Sequence, residues 1–203
     1  YCNHTKITSL KHAPQSVGGS FNCGFTNITS LEGAPQSVGG FNCALTNITS
    51  LEHAPQSVGG DFTCTFTSIT SLKHAPQVVG GFFCCHNTDI TSLEHAPKVV
   101  GGGFDCAHTN ITSLEHVPNA GNWIDCRGTS LTSLKGIHKT HRNWKIGGTL
   151  YLPNGCADIV GLALIEGITS VQIHDIAFDI SDHDPHSFQE KLLDVGLKAQ
   201  ARM

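Results

Sequence analysis

Apolar residues in this chain recur as a block, on neither a helical period nor a simple strand period. From Val38 to Pro55 the block reads V-x-x-F-x-C-x-x-T-x-I-x-x-L-x-x-x-P, and it returns every 20 or 21 residues. Its columns are regular: Ile7, Ile28, Ile48, Ile69, Ile90, Ile111 and Leu131 form one, and Leu10, Leu31, Leu51, Leu72, Leu93, Leu114 and Leu134 form another. Self-similarity at a fixed period of this length marks a solenoid, because no coil can bury its apolar face alone and stacking buries it. The pattern predicts seven stacked coils over residues 1–137.

Within a coil, F-x-C predicts a short strand with Phe and Cys inward and the alternating residues outward. The Gly pair that precedes it, Gly18-Gly19 through Gly101-Gly102, predicts a corner that side chains would obstruct. Pro14, Pro35, Pro55, Pro76, Pro97 and Pro118 mark a returning extended segment, and the rest of the arc is too short for a full helix. Successive strands would pair in parallel about 4.8 Å apart, giving a sheet roughly 35 Å across. Each large apolar side chain buried in this way is worth about 1.5–3 kcal/mol. A complete Thr column, Thr5, Thr26, Thr46, Thr67, Thr88, Thr109 and Thr129, is expected to tie each coil to its neighbour's backbone through the hydroxyls.

After Leu134 the period fails. Gly147 to Leu152 reads as one more strand, and the runs Asp158–Ile165 and Thr169–Ile173 are apolar without the repeat signature. A helix is expected from Ser187 to Ala201, with Phe188, Leu192, Leu193 and Leu197 on its buried face. Open solenoids need terminal caps, so residues 138–203 read as a C-terminal α/β cap on a mainly β protein.

The spacing of these columns resembles the leucine-rich repeat, in the short variety of bacterial effector proteins, over about residues 1–137. The resemblance implies a right-handed solenoid with short parallel strands. One position departs from it: the family's Asn, which links adjacent coils, is Thr in all seven coils. The tail, with L-T-S-L-K-G-I-H, I-G-G-T-L-Y, G-L-A-L-I-E-G-I-T-S-V-Q-I and F-Q-E-K-L-L-D-V-G-L, resembles the endings of leucine-rich-repeat-like proteins of large tailed bacteriophages. That resemblance implies a viral origin and a place in the host cytoplasm or the virion.

Composition narrows the partners. Charged residues make up 14% and the net charge is −4, which argues against the clustered basic surface of a nucleic-acid binder. No apolar run is long enough to span a bilayer. The chain opens on Tyr1 with Cys2 already inside a repeat, so further sequence is expected upstream, and no secretory signal is visible. Seven of the nine cysteines (Cys2, Cys23, Cys43, Cys64, Cys85, Cys106 and Cys126) fall once per coil, with no CxxC pair. They read as a buried, reduced core column rather than a disulfide or zinc framework.

Three features suggest chemistry and do not carry it. His12, His53, His74, His95 and His116 form a column, with Gly33 and Gly136 in the same place, and read as a duplicated residue rather than a metal site. Cys156-Ala157-Asp158 resembles the C-x-D nucleophile motif of some effector ubiquitin ligases, but the segment after the repeats is too short for such a domain. The sequons at Asn3, Asn27, Asn47 and Asn110 are by-products of the repeat. No catalytic residue, metal ligand or cofactor is therefore expected.

The outward strand positions carry the functional signal. In early coils they are small: Ser20, Asn22 and Gly24, then Gly40, Asn42 and Ala44. Later they become Phe82, Cys84 and His86; Gly103, Asp105 and Ala107; Trp123, Asp125 and Arg127; and finally Tyr151. Exposed Trp, Tyr and Arg are the residues of interface hot spots. Two readings of this divergence stand side by side: a partner-binding face of Phe82, His86, Asp105, Trp123, Asp125, Arg127 and Tyr151, or packing of Trp123 and Tyr151 beneath the cap. The first implies a non-enzymatic module for a protein partner. Alternatives are a virion component with structural or self-assembly contacts, and a protein that holds a small metabolite or nucleotide with His86 and Arg127 on its anion.

Overall fold

In the computed structural model, which describes residues 2–135, 137–140 and 143–202, the chain is a mainly β solenoid of stacked parallel coils. Each coil contributes two strand limbs rather than the single one expected. The first two strands, β1 (Ser16–Asn22) and β2 (Ser37–Asn42), run through the Gly-Gly corner. From the next coil on the corner divides them, as β3 (Ser57–Val58) and β4 (Phe62–Thr63), β5 (Val78–Val79) and β6 (Phe83–Cys84), β7 (Val99–Val100) and β8 (Phe104–Asp105), then β9 (Asn119–Ala120) and β10 (Ile124–Asp125). Two parallel ladders diverge from β2, one through β3, β5, β7 and β9, the other through β4, β6, β8 and β10.

The corner explains its glycines. A Cβ on Gly80 would lie 2.0 Å from the Gly59 carbonyl oxygen, and one on Gly101 would lie 2.2 Å from that of Gly80. Backbones approach too closely there for any side chain. The core sits between the limbs: Phe62, Phe83 and Phe104 are fully buried and stack ring to ring at 5.1 and 5.6 Å, beside the Ile and Leu columns.

The cysteine column is buried from Cys23 to Cys126, with Cys2 half-buried, and its thiols are free. From Cys2 to Cys106 each thiol donates to the carbonyl of the next coil, as in Cys43 Sγ to Thr63 O at 3.4 Å and Cys85 Sγ to Asp105 O at 3.3 Å. A thiol is a weak donor, so the backbone ladder carries the pairing and the thiols fill it out. The Thr column works differently from expectation. Thr26, Thr46, Thr67, Thr88 and Thr109 each donate at 2.7 Å to the Cys carbonyl three residues back in the same coil. The hydroxyl closes its own turn, because the residue before it turns left-handed and brings the Cys carbonyl within reach.

The tail continues the stack further than expected. After α1 (Ile137–Thr140), β11 (Thr149–Leu152) pairs with β10, and β12 (Ser170–Ile173) pairs with β11, both in parallel. The antiparallel β13 (Ile176–Asp179) then closes this edge. A 3-10 segment, Val160–Leu164, lies between them and receives α2 (Pro185–Asp194). That helix starts earlier and ends sooner than Ser187–Ala201. Asp184 caps it by accepting from His186 N, and Gly196, at φ +80°, follows its end. Phe188 and Leu192 are buried and Leu197 packs at the margin, whereas Leu193 is 49% exposed. Leu193 follows Phe188 by five residues, which turns it off the face that an i, i+4 pair shares. Among the described residues no helix is long and apolar enough to cross a membrane.

Candidate functional site

Of the seven expected residues, Asp105, Asp125 and Tyr151 are register partners on β8, β10 and β11, while Phe82 and His86 flank β6 and Trp123 and Arg127 flank β10. They gather into three groups. Phe82 and Trp123 stack at 5.9 Å across the intervening coil, and Trp123 lies on Gly103, where a Cβ would meet its ring at 2.4 Å. His86 Nδ1 and Asp105 Oδ2 are 2.6 Å apart. Arg127 donates to Asp125 through Nε at 3.0 Å and through Nη2 at 2.5 Å, and its guanidinium lies 4.9 Å from the Tyr151 ring centroid.

The carboxylates are oriented from below. Asp105 Oδ1 accepts from Ala107 N at 3.0 Å and Asp125 Oδ1 from Arg127 N at 2.9 Å, the same bond that Asn22 and Asn42 make in early coils. An Asn-to-Asp exchange at one structural position therefore converts a neutral ladder into two fixed charges. Each is matched by a cation or imidazole from a place that is Gly24 or Ala44 earlier in the chain. Hydrogen bonding to Asp125 also raises the Arg127 pKa further, so that cation is permanent.

The Trp123 ring lies on Gly103 and the Tyr151 ring under Arg127, while α2 packs on the 3-10 segment. His86 and Arg127 are each engaged by a carboxylate of the face itself, Asp105 and Asp125. Beside Arg127 opens a cleft of about 630 Å³ walled by His108, Asp125, Asn154, His174 and Asp175.

The thiols are shielded from ionisation. Cys84, half-buried between His86 and Phe82, is pushed up to about 12 by burial and then by the charges of Asp105 and Asp61. Burial, helped by Cys126 and Asp158, does the same to Cys156. A nucleophilic thiol needs the opposite shift, so C-x-D at this site lacks its activating environment.

The histidine column has a backbone cause. His53, His74, His95 and His116 all have φ between 64° and 71°, and Gly33 has 84°, at the third place of a turn closed by bonds such as Ala54 N to Leu51 O at 2.9 Å. In these coils that place is left-handed, which Gly, Asn and His adopt most readily, whereas His12 stands in the same turn without a left-handed backbone. Gly136, the last member of this column, lies outside the described residues. Among those residues no group of three or more His, Cys, Asp or Glu is placed to hold a metal ion.

One set of residues was not singled out from the sequence. His4, Phe25, Leu45, Phe66, Asn87 and His108 precede the Thr column, all with φ between 53° and 56°. Phe25, Leu45 and Phe66 are 51%, 41% and 50% exposed, forming an apolar ridge along the early coils. The available signal was an apolar column out of phase with the core. No family model matches the chain, and neither a curated protein nor a solved structure does.

Proposed function

We propose that the protein is a non-enzymatic interaction module whose late-coil strand face binds a protein partner. The observation that carries this reading is the Trp123 ring, laid flat over Gly103 and braced by Phe82, next to an Arg127 held in place by Asp125 and Tyr151. Aromatic and Arg side chains anchor most binding energy at interfaces, and holding them in one geometry beforehand lowers the entropy lost on association. The coil spacing supports reading the chain as a variant of the short leucine-rich repeat, of the kind encoded by large tailed bacteriophages, in which thiols and backbone link the coils in place of Asn.

Quantitative capture from host lysate tests the reading. Trp123→Ala with Arg127→Ala should weaken capture of a specific partner about ten-fold or more, the scale of a hot-spot truncation. Glu52→Ala, remote from the face, should not. Equal capture by all three proteins overturns the assignment.

A further inference from the structure

We infer that the cleft beside Arg127 is a binding site for a neutral saccharide, separate from the Trp123 anchor. The parallel limbs β8, β10, β11 and β12 lie side by side, about 4.8 Å apart, and all deliver their carboxyl ends to it. Behind them follow His108, Arg127 with Gly128, Pro153 with Asn154, and His174 with Asp175. The cleft opens where the coil pattern changes. The place held by Phe25, Leu45 and Phe66 in early coils is Gly128 here, at φ +69°, and a Cβ on it would lie 2.4 Å from the His108 ring. The absent side chain leaves room for that ring and for a ligand, within about 630 Å³, a size ordinary for small-molecule sites.

The walls are held in place before any ligand arrives. Asp125, buried on the cleft wall, fixes Arg127 through Nε and Nη2 and leaves Nη1 to donate. Asn154 Oδ1 accepts from His174 N at 3.2 Å, which leaves the amide nitrogen to donate, and Gln200 Nε2 ties the Asn154 carbonyl to the tail at 3.4 Å. Among the described residues the side chains of His108, His174 and Asp175 engage no other group. The site therefore offers donors from Arg127 and Asn154, an acceptor in Asp175, and two imidazoles that serve in either role. A hydroxyl both donates and accepts, so a ring bearing several of them matches this set. Other ligand classes fit less well. The fixed charges are Asp125, Asp175 and Arg127, a surplus of one negative that opposes a phosphate. No three metal-binding side chains converge among the described residues. An organic cation is best held over an open aromatic face, and the Tyr151 ring is already covered by Arg127. Only Ala107 and Pro153 offer apolar wall, too little for a lipid chain.

An array of neutral oligosaccharides probed with the labelled protein tests this, followed by calorimetric titration of the saccharide retained most strongly. The unaltered protein should retain at least one of them. Asp175→Ala and His174→Asn should each weaken its binding about five-fold or more, the loss expected when a hydrogen-bonding partner is removed. Both should melt as the parent does, because Asp175 is exposed and Asn suits the left-handed backbone at His174, where φ is 53°. Trp123→Ala should keep the saccharide affinity within about two-fold, so that failure here and failure of the partner-binding face are read separately. Retention of no saccharide overturns the proposal, as does retention that both cleft variants leave undiminished. Displacement of the saccharide by equimolar inorganic phosphate also overturns it, since the cleft would then be an anion site.

Discussion

The coils around Cys23, Cys43 and Cys64 and those around Cys85, Cys106 and Cys126 share one interior and differ on their surfaces. Inside, both halves stack apolar rows, led by Phe21, Phe41, Phe62, Phe83 and Phe104 and ending at Ile124. Outside, the early coils keep a flat neutral strip and an apolar ridge on strained backbone, while the later coils relieve the strain and fill the strip with rings and fixed charges. Large residues in the later half lean over small ones: Trp123 over Gly103, and the His108 ring over Gly128. Divergence of a repeat therefore combines coil-to-coil fit with the presentation of new groups, and only substitutions that separate the two can say which dominates where.

What the halves share should fail first and most heavily in alkali. Cys23, Cys43, Cys64, Cys85, Cys106 and Cys156 all have thiols raised by burial above the ordinary 9.0, Cys23 and Cys156 to about 12. For Cys106 the hydrogen bond to Cys126 comes first and burial second. In the unfolded chain these thiols ionise from about pH 9, while burial keeps Cys23 and Cys156 protonated to about 12 in the folded chain and holds the others protonated well above 9. Unfolding then releases protons, so stability is full below pH 9 and falls as pH rises through that window. All six thiols shift in the same direction, so their contributions to this fall add. Thermal melts between pH 8 and 10.5 should show a steep decline in both halves, and an unchanged midpoint would contradict the buried column.

The glycine corner separates the halves next. A Cβ at Gly101 runs into the Gly80 carbonyl, whereas at Gly18 nothing lies within 4 Å. Gly101→Ala should cost about 3 kcal/mol by forcing coils apart, and Gly18→Ala less than about 0.5 kcal/mol. Urea unfolding of both variants measures this, and equal costs would remove the corner as the reason for Gly.

A smaller contrast lies on the outward face. Gly103→Ala drives a methyl into the Trp123 ring, while at Gly40 the nearest atom is the movable Ser20 Oγ at 2.9 Å. The first should cost about 1–2 kcal/mol and shift Trp emission to the red, since Trp144 is buried and Trp123 is the ring displaced. The second should do neither.

Much of this was legible in the sequence, for reasons that also mark the boundary. Ile28, Leu31, Phe41 and Cys43 recur at one period, which forces them inward together, and the outward alternation puts Asp105, Asp125 and Tyr151 in register. The limb at Ser57–Val58 was not legible, because two residues between Pro and Gly-Gly carry no alternation to read. Leu192 and Leu193 were both assigned to the buried face, since adjacent leucines leave the helix phase open until the packing of Phe188 sets it. The ridge stayed hidden because Phe and Leu contradict the left-handed backbone they occupy. The contacts Trp123–Phe82 and His86–Asp105 reach across coils, and spacing along the chain records nothing of side-chain direction.

The finest contrast between the halves is a single exchange at one place in the coil. Phe66 and Asn87 occupy equivalent positions with φ of 54° and 53°. A left-handed residue with a Cβ costs about 1–2 kcal/mol, and Asn recovers part of that. Phe66→Asn therefore gains backbone energy and loses the edge contact with His86, which is worth about 0.5–1.5 kcal/mol at most. The difference is small, a net gain of about 0.5 kcal/mol read as a raised urea midpoint at high dilution. Asn87→Phe has no such ring waiting and should lose about 1 kcal/mol. If Phe66→Asn instead destabilises by more than about 1 kcal/mol, the ring is packing its own coil, the backbone strain is repaid locally, and the early surface is no more committed to an outside partner than the later one.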